Sequence, residues 1–274
     1  MGASPVVDSD RNHACFLVIL LAWLIVRITT IGCAGSFPGP DSPASCYLVQ
    51  AEGFRMVLDL GNGALGALQR HASLYDIDAI CLSHHHADHC IDMCCYSVAI
   101  CHHPDGPRPR IPVYGPARTQ ERLSRGLGLE PGTGMSDAFD FVTLEPGTIE
   151  IGPLRVTTAR MNHPVETFGF RLEHGGRTLA YSADTGSWDP LVTLARDADV
   201  LLCEASFAAG PANPPDLHLT GREAGEHAAR AGVGELVLTH QVAWNDPDQT
   251  MTDAASAFAG RLSAAVAGQD IGLG

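Results

Sequence analysis

From residue 26 onward the chain alternates short apolar runs with turns rich in glycine and proline. Residues 26–31 read as a first strand. Residues 46–51 and 55–58 read as a hairpin pair around Glu52-Gly53. Residues 64–71 suit a helix, and residues 78–82 form a buried strand. Beyond it, residues 91–100 read as a helix, 111–114 as a strand, and 116–127 as a helix with proline in its first turn. Residues 130–136, rich in glycine, are expected to be a mobile rim of a cleft. Residues 141–171 alternate like strands of a second sheet, interrupted at His163-Pro164. Residues 177–181, 200–203 and 236–239 complete the strands, with helices over 190–196 and 223–231. Strands and helices in two rough halves predict an α/β protein built as a four-layer αββα sandwich.

The amino-terminal segment stands apart. Residues 14–26 are almost purely apolar, but shorter than the roughly 20 residues a membrane-spanning helix needs. Asp8 and Asp10 outweigh Arg11, against the basic start of a secretory signal. A lipoprotein signal would use Cys33, but Thr30 stands where a leucine-like residue belongs. Residues 1–26 are therefore read as an appended extension or a start-site artefact, with a membrane anchor left open, and residues 27–274 as one folded domain.

Composition narrows the class. The chain has 274 residues, 45% of them hydrophobic, enough for a sizeable core. Its formal net charge of −14 disfavours extended contact with nucleic acid. The nine cysteines follow no secreted-scaffold spacing, so reduced cysteines in a cytoplasmic protein are expected rather than disulfides. A thiolate metal site from Cys90, Cys94 and Cys95 with His102 and His103 is a weak alternative, because no paired CxxC occurs.

The chemistry concentrates where the 78–82 strand ends. His84, His86, Asp88 and His89 form a His-x-His-x-Asp-His motif, four potential metal ligands within six residues. In an extended exit His84 and His86 project to one side, and Asp88 falls where a helix can begin. A surface histidine cluster would predict no further ligands downstream. Three follow, each after an apolar run: His163, Asp184 and His240. Imidazoles and carboxylates together suit zinc, or manganese or iron where oxygen ligands weigh more. Asp59, at the end of the second hairpin strand, reads either as an acceptor that orients a ligand imidazole or as a turn-stabilising residue before glycines. Downstream, Glu204 ends a buried run. His218 precedes a helix that Thr220 and Glu223 would open with a capping box, so His218 is a candidate general acid oriented by Glu204.

The order His84, His86, Asp88, His89, His163, Asp184, His240 resembles the metallo-β-lactamase superfamily of αββα hydrolases, over about residues 27–266. The resemblance implies two divalent metals, zinc foremost. His84, His86 and His163 would hold one, Asp88, His89 and His240 the other, and Asp184 would bridge them. Glu204 with His218 and Thr220 is similar to the phosphodiesterase branch, which includes the transfer-RNA 3′-processing endonucleases and in which such residues assist the leaving group. The segments 32–36, 39–45, 63–71 and 214–218 look like an actinobacterial group of atypical class II cyclic-nucleotide phosphodiesterases, from which the apolar start and the tail after Phe258 depart. The function so implied is hydrolysis of a small cyclic phosphodiester to a nucleoside monophosphate by a homodimer. Asp88 would accept the proton of the attacking water and His218 would protonate the leaving oxygen. Transfer-RNA processing is the alternative, opposed by the acidic charge and the lack of a long glycine- and proline-rich arm.

Overall fold

The computed structural model describes residues 26–210 and 213–273. The expected amino-terminal extension, with its apolar run, lies outside them except for Val26. Among the described residues no helix is long and apolar enough to cross a membrane.

The first half of the chain gives β1 (Arg27–Gly32), β2 (Cys46–Ala51), β3 (Phe54–Leu58), α1 (Ala64–Leu68), β4 (Ala79–Cys81), α2 (Ala87–Cys90), α3 (Met93–Cys101), β5 (Ile111–Gly115), α4 (Thr119–Gly126) and β6 (Phe139–Thr143). The second half gives β7 (Gly147–Ile151), β8 (Leu154–Arg160), β9 (Phe168–His174), β10 (Arg177–Tyr181), α5 (Asp189–Leu194), β11 (Val200–Glu204), α6 (Gly221–Ala231), β12 (Glu235–Thr239), α7 (Pro247–Ala255), β13 (Arg261–Ala264) and β14 (Asp270–Ile271). They form two seven-stranded sheets, in the orders β14-β1-β2-β3-β4-β5-β6 and β13-β12-β11-β10-β9-β8-β7.

Alternation along each strand builds the layers. In β2, Tyr47 and Val49 face the space between the sheets, where Met56, Phe168, Phe170, Tyr181 and Leu202 meet them. Cys46 and Leu48 face the opposite way, onto a core shared with Leu68, Met93, Tyr96 and Leu123. On the far side, Ala180, Leu201 and Leu236 pack against Leu191, Leu194, Ala224 and Ala228. Each sheet thus buries both faces, and the expected αββα sandwich is the architecture found.

One expectation about the strands needs correction. Residues 141–143 do not belong to the second sheet. β6 runs parallel to β5, with Ile111 opposite Phe139, and extends the first sheet. Alternation reports that a strand has two unlike faces, not which sheet it joins. Residues 130–136 are tied to the outer helical layer: Met135 is fully buried there, and the Ser124 hydroxyl donates to the Thr133 carbonyl at 2.8 Å.

Candidate functional site

The strands β4, β8, β10, β11 and β12 all end at one edge of the sandwich, and the residues just beyond them converge there. Parallel pairing brings the ends of β10, β11 and β12 level, with Tyr181 beside Leu202 and Glu204 beside Thr239. Open α/β sheets characteristically gather ligands at such carboxyl ends.

Seven side chains meet in two overlapping groups. His84, His86, His163 and Asp184 bring one ligand atom each within 4.8 Å of the others, and so do Asp88, His89, Asp184 and His240. In the first group His84 Nε2 and His163 Nε2 lie 3.0 and 3.2 Å from His86 Nδ1. In the second, His240 Nε2 lies 3.1 Å from Asp88 Oδ2 and 3.1 Å from His89 Nε2. Asp184 serves both, with Oδ2 3.6 Å from His84 Nε2 and Oδ1 3.2 Å from His89 Nε2. These separations approximate the ~3.3 Å between ligand atoms around a tetrahedral zinc.

The outer atoms of the rings show why the inner ones face each other. His89 Nδ1 donates to Asp59 Oδ2 at 2.8 Å, His163 Nδ1 to the Leu217 carbonyl at 2.9 Å, and His240 Nδ1 to the Ser206 hydroxyl at 2.6 Å. His84 Nδ1 lies 3.0 Å from the Ser83 hydroxyl, which itself donates to Asp59 at 2.8 Å. Protons held on the outer nitrogens leave lone pairs pointing inward. Inward lone pairs at such distances repel unless a cation takes them. Asp184 Oδ1 is buried with no hydrogen-bond partner, a costly state for a carboxylate oxygen unless it too faces a cation. The donor set therefore fits a metal ion.

Titration follows the same logic. Burial pushes the imidazoles of His84, His86 and His163 below their ordinary value. Burial also opposes charge on His89, but Asp184 and Asp59 outweigh it and hold its pKa well above that of a free imidazole. The Asp88 and Asp184 carboxyls are penalised by burial, yet the adjoining His240 and His89 keep both below the usual carboxylate range.

Local backbone explains the placement. His86 is extended, and Asp88 enters the first turn of α2. Asp59 and His240 both occupy left-handed conformations, at φ 58° and 54°, which turn the chain sharply as it leaves β3 and β12. Asp59 proves to be a hub as well as a turn residue. Besides His89 it accepts from the Ser83 N–H at 2.7 Å and from the Tyr181 hydroxyl at 2.9 Å.

Glu204 and His218 also meet. His218 Nδ1 lies 2.9 Å from Glu204 Oε1 and 4.0 Å from Asp184 Oδ2. Glu204 is held by the Thr185 N–H at 2.7 Å and the Ser206 N–H at 3.2 Å. Burial opposes charge on His218, but Glu204 overrides it and lifts its pKa to about 9. A cleft of about 450 Å³ opens beside the ring, lined in part by Ser187, Phe207, Asp216 and Arg222. Thr220 caps α6 with the expected reciprocal box, its hydroxyl accepting from the Glu223 N–H at 3.3 Å.

Some residues fall elsewhere. His85, inside the motif, turns away to Thr119 at 2.8 Å. Cys90 and Cys94 donate to the carbonyls of His86 and Leu123, His103 engages Arg108, and no metal-ligand group among the described residues contains a cysteine. The eight described cysteines are all free. Ser83, Tyr181 and Ser206 have no conspicuous sequence signal. Ser83 adjoins the motif and Ser206 follows Glu204 by two, but Tyr181 looks like any interior strand aromatic.

Comparison with known proteins gives this geometry its family. A family model described as the β-lactamase superfamily domain matches residues 55–241. The uncharacterized protein Rv1339 of Mycobacterium tuberculosis is 46% identical over 250 residues, covering 88% of this chain and 90% of that protein. Ribonuclease Z of Mycobacterium bovis is 29% identical over 271 residues, covering 87% of this chain and 95% of that enzyme. The crystal structure of the metallo-β-lactamase fold protein YhfI from Bacillus subtilis matches with a TM-score of 0.81 at 28% identity, over 90% of this chain and 98% of that one. The chain belongs to the β-lactamase superfamily, and its paired sheets and flanking helices are the metallo-β-lactamase sandwich.

Proposed function

We propose that this protein is a dinuclear-metal phosphodiesterase that hydrolyses 3′,5′-cyclic nucleotides to nucleoside monophosphates. The observation that carries the reading is the His218–Glu204 pair, standing 4.0 Å from the Asp184 carboxylate at the mouth of a cleft. A hydrolase needing only a hydroxide nucleophile has no use for a second, protonated imidazole there. A phosphodiesterase does, because an alkoxide leaving group requires a proton.

In this reading His84, His86 and His163 would hold one metal and Asp88, His89 and His240 the other, with Asp184 belonging to both groups. Bound zinc, manganese or iron would supply Lewis acidity toward phosphoryl oxygens and a water acidified toward neutrality. Asp88, whose Oδ2 faces His240 and His89, accepts the proton of the attacking water. His218 is the proton donor in this reading, its charged form favoured by Glu204, which lifts its pKa to about 9. With Nδ1 committed to Glu204, Nε2 is the atom that delivers a proton to the departing sugar oxygen. Glu204 keeps that imidazole charged and fixes its plane.

A net charge of −14 favours a small substrate over transfer RNA, for which polyanion repulsion would have to be overcome locally. The His218→Ala variant tests the assignment. Phosphodiester turnover should fall by about 10²–10⁴-fold while metal content matches the wild type. Undiminished turnover would remove His218 from the mechanism.

A further inference from the structure

Two aromatic rings stand together beside the His240 side of the centre. Trp244 is 75% exposed, well beyond the next large apolar side chain among the described residues, Val98 at 51%. Its ring centroid lies 4.9 Å from that of Phe37, with the planes tilted 45°. Both rings ride on segments fixed to His240. Phe37 follows Ser36, whose N–H points to His240 Nε2 at 3.4 Å. The same loop is pressed against the strand end by Gly35, where an added Cβ would lie 2.2 Å from the His240 carbonyl. Trp244 lies four residues past His240, in a turn closed by the Asn245 N–H to the Val242 carbonyl at 2.9 Å. The Asn245 side chain pins that turn to the Ser206 carbonyl at 2.7 Å, and the Ser206 hydroxyl in turn touches His240 Nδ1.

An indole so exposed, yet buttressed by a second ring and anchored through two loops to a residue of the centre, is a preformed flat surface. We propose that Trp244, backed by Phe37, is the platform on which the heterocyclic base of a nucleotide stacks while its phosphate occupies the centre. The inference rests on the phosphodiesterase reading for the position of the phosphate. Stacking uses the π-face common to all bases, so the platform selects nucleotides over sugar phosphates without choosing strongly among purines and pyrimidines.

The test is calorimetric titration of metal-loaded protein with AMP and with ribose 5-phosphate, which share the phosphate and differ in the base. Wild type should bind AMP about tenfold more tightly or better. W244A should lose that preference with ribose 5-phosphate affinity unchanged, and W244F should keep most of it. In steady-state assays W244A should raise KM for cyclic AMP with little change in kcat. Retention of the AMP preference by W244A, or its absence in wild type, overturns the platform. So does an intact preference accompanied by a changed sedimentation mass, which assigns the indole to a contact between chains. A Trp244-dependent preference for AMP in a protein inert toward cyclic AMP would keep the platform and discard the cyclic substrate. Turnover with a W244A KM equal to wild type would do the reverse.

Discussion

The imidazole of His89 donates from Nδ1 to Oδ2 of Asp59 at 2.8 Å, joining two fully buried residues that follow the parallel strands β4 and β3 at the same edge of the sheet. Asp59 in turn receives the hydroxyl of Tyr181 from the other sheet. One carboxylate therefore couples the sandwich seam to the orientation of a candidate ligand. Asp59→Ala should lower metal affinity about 10–100-fold, read by competition with a chromophoric chelator. Tyr181→Phe removes a single donor and should cost about 1 kcal/mol of stability, with a smaller loss of metal affinity. Unchanged affinity in both variants would show that Asp59 only supports the fold.

The Glu204–His218 pair sets a pH dependence. The folded pKa of about 9 lies above the ordinary ~6.5 of an imidazole. Its contribution to stability is complete below the unfolded value and is lost as pH rises through about 9. Activity that needs His218 protonated should decline along the same limb in a profile of kcat/KM. Glu204→Gln removes the main stabiliser of the charge, so the alkaline limb should move toward neutrality. A limb that stays in place would separate it from His218.

Metal uptake should release protons. Asp184 and Asp59 hold the pKa of His89 well above that of a free imidazole, so a metal bound at its Nε2 competes with a proton there. Calorimetric titration in buffers of differing ionisation enthalpy should report release of about one proton at that site. Affinity should weaken as pH falls. Binding heats independent of buffer would contradict the placement of His89 as a ligand.

The cap of α6 fixes the chain two residues beyond His218. Thr220→Ala breaks the capping box and should cost about 1 kcal/mol, a melting shift of about 2–4 °C. It should also lower kcat more than the stability loss explains, because the His218 loop enters the helix through Thr220. Thr220→Ser should behave as wild type in thermal melts and assays.

Much of this was legible in the order of residues. Each of the seven converging side chains follows an apolar run that became a strand, and the Thr220-to-Glu223 spacing announced its capping box. Strand pairing was less accessible. β6 joined the first sheet because Phe139 pairs opposite Ile111, a choice made by distant partners rather than by the local pattern. The closing strands β13 and β14 are short, and β14 buries only Ile271 of its two residues, too little for a periodic signal. The expected helices over 64–71 and 116–127 shrank to Ala64–Leu68 and Thr119–Gly126, the second because Arg118 adopts a left-handed turn before it. Tyr181 carries no local signal of its role, because its hydroxyl finds Asp59 122 positions away.

The most direct measurement is product analysis of cyclic AMP incubated with purified, metal-reconstituted protein, with a 3′-extended transfer-RNA precursor treated in parallel. Conversion of cyclic AMP to AMP with the precursor intact is the result the account predicts. Cleavage of the precursor with cyclic AMP untouched would contradict it and assign the same centre to RNA processing.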